Sequence, residues 1–230
     1  MIGSGAMRVF GVDVWAKGWV SVELDDGRFA AAHVDASLAA LLAAAGEASC
    51  IAVDIPLGLL DEGLRQADVA TAALLGARRA SLFPTPPRSV LAEKTYPAAA
   101  RRHVELTGKG LSQQSFGLRS RLLEANALYD RGVLPLREVH PEMSFTMMGD
   151  GPPARSKKSW DGQCDRIQRL RSEGIELPDQ LGAAGVVPAD DVLDAAAAAW
   201  TAHRMGCGIA ASVPDPPQLN ERGQQLAIWY

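Results

Sequence analysis

The chain has 230 residues, of which 47% are hydrophobic and 22% are charged, a composition typical of a folded globular protein and not of a disordered one. No apolar run reaches the length of a membrane-spanning helix, and the first seven residues lack the basic start and apolar core of a secretory signal. We therefore expect a cytoplasmic protein without membrane contact. Three widely spaced cysteines, with no CxxC pair, give no indication of a zinc site.

The first 55 residues predict three strands, a helix and a fourth strand. A turn is expected at residues 25–27, between two alternating segments. The fourth strand is almost wholly apolar, which is typical of a strand buried on both faces. Three antiparallel strands, a helical crossover and a parallel strand open the ribonuclease-H-like fold. The three strands cover residues 8–14, 19–24 and 28–34, the helix begins near residue 38, and the fourth strand covers residues 50–55.

The rest of the chain predicts mainly helices, separated by glycine and proline. We therefore expect an α/β protein with a ribonuclease-H-like mixed sheet, three antiparallel strands and then parallel ones, and flanking helices. The predicted organisation is a single domain over residues 1–230 with a mostly helical insertion at about 59–133. The later predicted helices cover residues 67–75, 96–106, 115–131, 156–171 and 190–205, a further strand covers 134–139, and residues 226–230 form a short strand or a docked tail.

Charge is unevenly distributed along the chain. Residues 78–171 hold 17 of the 23 lysines and arginines and 9 of the 27 acids, which gives this segment a charge of +8 and the remainder −12. An acidic part with a basic middle suits a metal site that faces a polyanion. Ordinary solvated helix faces explain the same pattern equally well.

Acidic residues at strand ends are the most informative feature of the sequence. Asp13 lies within the first strand, and Asp54 interrupts the buried fourth strand at its carboxyl end. Ligands in open α/β sheets bind outside such ends, and buried carboxylates need a compensating charge. If the two strands are neighbours, Asp13 and Asp54 can share a metal ion. A solvated Asp13 and an Asp54 that caps the next turn are the alternatives.

Two further acids, Asp191 and Asp194, are three residues apart on a predicted alanine-rich helix, so that their side chains share a face. In the alternative interpretation, Asp190 is the N-cap and Asp191 complements the helix dipole. That interpretation does not cover Asp194, which lies deeper in the helix.

A third group of polar residues follows the strand predicted at 134–139. Glu138 and His140 would point to the same face of this strand, as an acid and a nearby proton carrier. His140 as a hydrogen-bonded structural residue, and Glu142 as an acid at a helix N-terminus after Pro141, are the competing interpretations. The basic pairs at residues 78–79 and 157–158 can bind phosphate oxygens, although surface charge explains them equally well.

These segments together resemble a family of predicted ribonuclease-H-like nucleases catalogued as domain of unknown function 429. The resemblance covers nearly the whole chain in order. The segments that carry it are residues 11–14, 53–58, 138–142, 156–158 and 191–197.

Within the wider superfamily, the pattern looks most like the Holliday-junction resolvases. These have an acid on the first strand, one on the fourth, and two a turn apart on a late helix. Position by position, the resemblance implies roles for Asp13, Asp54, Asp191 and Asp194. One departure is that Asp54 replaces the longer Glu typical of those resolvases.

The function expected from this pattern is metal-dependent phosphodiester hydrolysis. Two Mg²⁺ or Mn²⁺ ions roughly 4 Å apart would be bridged by Asp13, with Asp54 on one ion and Asp191 or Asp194 on the other. Nucleic acid of unspecified type is the expected partner, and the sequence leaves homo-oligomer formation open. The expected catalytic residues are Asp13, Asp54, Glu138, Asp191 and Asp194, the metal ligands are the four aspartates, and the accessory residues are His140, Glu142, Lys157 and Lys158.

Two other functions use the same kind of fold. Actin-like and sugar-kinase proteins place strand-end aspartates around Mg²⁺, but they need two related domains and glycine-rich phosphate loops. A non-catalytic module that binds nucleic acid or protein on a ribonuclease-H-like scaffold is the other alternative, and the overall acidity favours it.

Overall fold

The computed structural model describes residues 7–43 and 45–230. The described chain divides into two compact units. The first comprises the residues through Ile55, Leu134–Ala210 and Trp229–Tyr230, and the second comprises Pro56–Val133 and Ala211–Ile228. Among the described residues, none of the helices combines the length and hydropathy that a membrane crossing requires.

The predicted order of elements in the first 55 residues is confirmed. The strands of the described residues are β1 Arg8–Trp15, β2 Gly18–Asp25, β3 Arg28–Asp35, β4 Cys50–Val53, β5 Leu136–Val139, β6 Ser212–Leu219 and β7 Gln225–Trp229. The helices are α1 Leu38–Ala43, α2 Gln66–Leu75, α3 Arg88–Ala92, α4 Tyr96–Thr107, α5 Gln113–Gly117, α6 Arg119–Arg131, α7 Pro141–Met148, α8 Trp160–Ser172 and α9 Ala189–Gly206. Two short 3-10 helices, Gly76–Ser81 and Gly182–Val186, complete the list.

The sheet of the first unit is mixed, with its strands in the order β3-β2-β1-β4-β5. The pairs β1/β2 and β2/β3 are antiparallel, whereas β1/β4 and β4/β5 are parallel. Asp26 and Gly27 both adopt positive φ, 47° and 78°, as a two-residue hairpin turn between β2 and β3 requires. The turn that the sequence predicts at this place is therefore present. The mixed sheet and its flanking helices agree with the predicted α/β class.

One face of this sheet is covered by α9. The helix is buried along most of its length, and residues 195–199 are fully inaccessible alanines. Val9, Val20 and Val22 of the sheet belong to the same hydrophobic cluster as these alanines. Small side chains let the helix lie directly on the strands, so its N-terminal half is held at a fixed place relative to β1.

The second unit contains α2 to α6 and the β6/β7 hairpin. Asn126 of α6 fixes the beginning of this unit, since its Oδ1 accepts a hydrogen bond from Gly58 N at 2.8 Å and its Nδ2 donates to Pro56 O at 2.9 Å. The residues predicted as a helical insertion, about 59–133, lie here together with residues 211–228, which the sequence does not place with them. A single domain with an insertion remains a prediction.

Several element boundaries differ from the predictions, each for a local reason. The helix predicted at 115–131 is divided at Leu118 into α5 and α6. The helix predicted from residue 156 begins at Trp160, because Ser159 is its N-cap and accepts a hydrogen bond from Gly162 N. Strand β6 contains three prolines and was not expected, but it is an edge strand, where proline is tolerated.

Candidate metal centre

Strand register brings Asp13 and Asp54 together. Val12 of β1 is the parallel partner of Val53 of β4, and each aspartate is the next residue along its strand. The backbone continues this pairing for one more step, since Asp54 N donates to Val12 O at 2.8 Å. Residues in register on neighbouring strands point to the same face. Both carboxylates therefore project from the same face of the sheet, at the carboxyl ends of β1 and β4.

Asp194 joins them from α9. Gly11 lies two residues before Asp13 on the face that α9 covers, and Ala195 packs directly against it. One carboxylate oxygen each from Asp13, Asp54 and Asp194 lie within 4.8 Å of one another. We call these three residues the carboxylate cluster. The sequence-based expectation that acids from β1, β4 and a late helix converge is met by these three.

Burial makes this convergence electrostatically unfavourable. The side chains of Asp13 and Asp194 are buried, and that of Asp54 is partly exposed. Burial, then the charges of Asp54 and Asp194, raises the pKa of Asp13 well above its usual range. The pKa of Asp54 is raised to about 8, chiefly by burial and then by Asp194. Burial also raises the pKa of Asp194, although the Lys157 ammonium opposes this rise. Burial and mutual repulsion therefore disfavour the ionised carboxylates unless a cation compensates their charge.

A backbone contact orients Asp13, because Val14 N donates to its Oδ1 at 2.6 Å. Asp194 is oriented by Lys157, whose Nζ donates to Asp194 Oδ2. The other oxygen of Asp194, Oδ1, is buried and accepts no hydrogen bond from any described residue. An unpaired buried carboxylate oxygen is costly unless a cation binds it. It is therefore a free ligand atom within the cluster.

Two lysines neutralise part of this negative charge. Lys157 Nζ bonds Asp194 and lies 3.9 Å from Asp190 Oδ2, while Lys158 Nζ lies 2.5 Å from the same Asp190 oxygen. Burial disfavours the charge of Lys157, but the carboxylates of Asp194 and Asp13 outweigh it, and its pKa is raised. Both lysines precede α8 and do not lie within it, contrary to the predicted helix over 156–171.

Asp191 is not part of the carboxylate cluster. It lies in the first turn of α9 and is partly exposed. Burial and the charge of Asp190 raise its pKa to about 6. The N-cap of α9 is Pro188, so the alternative that Asp190 caps this helix is wrong; Asp190 is instead a buried partner of the two lysines. The sequence did not single out this role, although Asp190 and Asp194 are four residues apart, which places them one above the other on a helix.

Glu138 lies on the strand that the sequence predicts, and His140 lies directly after it. Glu138 pairs in register with Val53 and not with Asp54, so the alternation of side chains directs it to the opposite face of the sheet from the carboxylate cluster. It is buried, and its charge contributes to the raised pKa of Asp54. Strand β5 ends at Val139, and His140 is the N-cap of α7. With φ −130° and ψ 112°, the backbone at His140 is still extended.

Glu142 is an acid in the first turn of α7, in agreement with the alternative that it is a helix N-terminal acid after Pro141. It forms an ion pair with Arg166 of α8, which is fully buried. The guanidinium also donates to Gly162 O at 3.0 Å and lies 5.2 Å from the centre of the Phe145 ring. The sequence does not predict this role for Arg166, because a basic residue in a polar helix is indistinguishable from surface charge.

The donor set fits a hard divalent cation. Mg²⁺ and Mn²⁺ prefer oxygen ligands, and carboxylates are the usual protein source of them. The cluster supplies three carboxylates from three separate elements, and one of them has a buried oxygen without a hydrogen bond from the described residues. Asp13, Asp54 and Asp194 are therefore the residues that could hold a metal ion.

Comparisons with known proteins give a family but no characterised relative. No curated protein and no solved structure matches the chain. The family model described as "Protein of unknown function (DUF429)" matches residues 11–219. This match spans both units and includes all three members of the carboxylate cluster. The chain therefore belongs to the DUF429 family.

Proposed function

We propose that the protein is a metal-dependent nuclease that hydrolyses phosphodiester bonds. The observation that carries the proposal is the convergence of Asp13, Asp54 and Asp194 within 4.8 Å, in a buried setting that favours cation binding over three free charges. The strand order supports a ribonuclease-H-like assignment, because three antiparallel strands are followed by parallel strands on the other side of β1.

Each residue of the cluster could contribute a carboxylate ligand to Mg²⁺ or Mn²⁺ from a different part of the fold. Asp13 lies on the central strand β1, between β2 and β4, and would be a ligand of the metal. Asp54 and Asp194 approach from β4 and α9 and would complete the binding of the ions. Such ions, when bound, activate water and stabilise the oxygen that leaves the phosphorus. Asp191 lies outside the cluster, and because burial and the charge of Asp190 raise its pKa to about 6, it would be a carboxylate above about pH 6 and could act there as a proton acceptor.

Nucleic acid is the proposed substrate class. Trp160, at the start of α8, is 78% exposed. It follows Lys157 and Lys158, which contact the acids of α9. An exposed aromatic ring beside basic residues can stack on a base while the cations bind phosphate oxygens. The charge of +8 over residues 78–171 supports a polyanionic partner.

A second candidate function is a binding module without catalysis. The observation that favours it is the contact of Lys157 with Asp194, since an internal ammonium already compensates part of the acidic charge. In that case the acids and lysines would form a self-contained polar network, and nucleic acid or protein would bind elsewhere on the same scaffold.

Calorimetric titration with Mn²⁺, together with cleavage assays, tests the proposal. We expect Mn²⁺ binding below the millimolar range and metal-dependent cleavage of single-stranded, duplex or branched nucleic acid. Asp13→Asn should abolish both, whereas Asp179→Asn, an exposed acid outside the cluster, should change neither. Cleavage that survives in Asp13→Asn would contradict the proposed function. Absence of Mn²⁺ binding would favour the binding module.

A further inference from the structure

The ammonium group of Lys157 lies at the carboxylate cluster itself. Its Nζ bonds Asp194 Oδ2 and lies 3.9 Å from Asp190 Oδ2. The charges of Asp13 and Asp54 also act on it, although neither is bonded to it. Lys157 is thus the cation that compensates the cluster in the metal-free protein.

The backbone around Lys157 is held in place by specific contacts. Ser156 O accepts hydrogen bonds from Ser159 N at 2.9 Å and from Ser159 Oγ at 2.8 Å, which closes a turn around the two lysines. The buried Arg166 guanidinium donates to Arg155 O at 3.3 Å, two residues before Lys157. The lysine therefore projects from a turn that these hydrogen bonds hold in place, and its long side chain is the part most able to move.

A divalent ion bound to Asp194 would lie near this ammonium. At about 5 Å, and with an effective dielectric constant of about 20, the repulsion between two positive unit charges is several times the thermal energy. The repulsion between the ammonium and a divalent ion is twice as large. The side chain of Lys157 is 35% exposed, so a path into solvent is open to it. Asp190, already 3.9 Å from Nζ, offers an alternative partner one helical turn earlier on α9.

We propose that Lys157 is the resident counter-ion of the carboxylate cluster, that a divalent cation displaces it from Asp194, and that it thereby determines the metal affinity of the site. This inference rests on the proposed function, because it requires that the cluster binds a metal. Its consequence is selectivity. A monovalent ion carries the same charge as the ammonium, so replacing Lys157 with it gives little additional electrostatic stabilisation. A divalent ion carries twice that charge and also compensates the carboxylates that Lys157 leaves only partly neutralised.

Lys158 provides a matched control. It is also a lysine of the same turn and also pairs with an acid of α9, but its partner is Asp190, which is not a member of the cluster, and its side chain is 68% exposed. Calorimetric Mn²⁺ titrations of the wild type, Lys157→Gln and Lys158→Gln therefore separate competition at the cluster from a general loss of positive charge. We expect Lys157→Gln to bind Mn²⁺ about tenfold more tightly than the wild type, and Lys158→Gln to differ by about threefold or less.

A second measurement uses the unmodified protein. Acetylation by an N-hydroxysuccinimide ester, followed by mass spectrometry, reports the accessibility of each lysine amine. Mn²⁺ should increase the labelling rate of Lys157 several-fold relative to that of Lys158, and Mg²⁺ should do the same at higher concentration. K⁺ at the same ionic strength should have no such effect.

The outcomes distinguish this inference from the proposed function. If the wild type binds Mn²⁺ while Lys157→Gln binds it equally or less tightly, or if Mn²⁺ protects Lys157 from acetylation, Lys157 is not a displaced counter-ion and only this inference is overturned. If neither the wild type nor either variant binds Mn²⁺, the metal centre and this inference are both overturned.

Discussion

Gly11 of β1 lies so close to α9 that a Cβ added to it would come within 2.1 Å of the Ala195 carbonyl oxygen. The absence of a side chain at this position is what lets the helix rest on the strand. Asp13 is two residues after Gly11, and Asp194 is the neighbour of Ala195. The same contact therefore determines how near two acids of the carboxylate cluster are to each other.

Gly11→Ala should destabilise the protein and weaken Mn²⁺ binding together. The added methyl group meets backbone atoms, which cannot rotate away, so the helix must shift at a cost of about 3 kcal/mol or more. Thermal unfolding and Mn²⁺ calorimetry measure the two effects. Gly185→Ala is the control, because a Cβ there meets nothing within 4 Å. Equal stability of the two variants would show that the helix does not depend on this contact.

The stability of the metal-free protein should rise as the pH falls from 8 towards 5. Asp54 has its pKa raised to about 8 in the folded state, whereas an unfolded aspartate titrates near 3.8. Between these values the folded state binds more protons than the unfolded state, so the free energy of unfolding decreases with rising pH. The raised pKa values of Asp13 and Asp194 act in the same direction.

Thermal unfolding in the presence of a chelator measures this trend, for which we expect a change in Tm of about 3 °C or more across the window. Asp54→Asn should reduce this trend, since the amide has no proton to lose, while Asp13 and Asp194 retain the remainder. Saturating Mn²⁺ should stabilise the protein more at pH 8 than at pH 6, because metal binding requires the deprotonated carboxylates. A chelated wild type whose stability increases with pH over this range would contradict the raised pKa values.

Replacing one member of the buried pair Arg166–Glu142 should lower the free energy of unfolding far more than replacing both. Arg166→Met leaves the Glu142 carboxylate buried without its partner and should cost about 3 to 5 kcal/mol in urea denaturation. Arg166→Met combined with Glu142→Leu removes both charges and should recover most of this loss. Arg102→Met, which breaks an exposed ion pair with Glu105, should cost less than about 1 kcal/mol. Additive losses in the double variant would show that the two residues do not act as a pair.

The strand-end acids were predictable because they interrupt apolar segments. An aspartate that ends a buried strand has few structural explanations, and this reasoning identified Asp13 and Asp54 without knowledge of the fold. Asp194 was identified for a similar reason, since it is a charge in a helix of alanines. All three predictions depend only on local sequence, which is why they agree with the structure.

Register and pairing were not predictable in the same way. Whether Glu138 faces the cluster depends on a shift of one residue between β4 and β5, and such a shift reverses the face of every side chain. The roles of Lys157 and Arg166 depend on which acids lie opposite them across the tertiary structure. A single sequence contains no pattern that distinguishes these residues from surface cations.

Trp160 should contribute to nucleic-acid binding without contributing to metal binding. The residue is 78% exposed at the start of α8, three residues after Lys157. Stacking of a base on an aromatic ring contributes about 1 to 3 kcal/mol, so Trp160→Ala should weaken the binding of a single-stranded oligonucleotide about tenfold, and Trp160→Phe should restore most of the affinity. Fluorescence anisotropy with a labelled oligonucleotide measures the affinity, and Mn²⁺ calorimetry should give the same value for all three proteins. Val186→Ala truncates another exposed apolar side chain of the same unit and is the control. If Trp160→Ala and Val186→Ala bind the oligonucleotide equally well, Trp160 is only an exposed surface residue and the nucleic acid does not contact the start of α8.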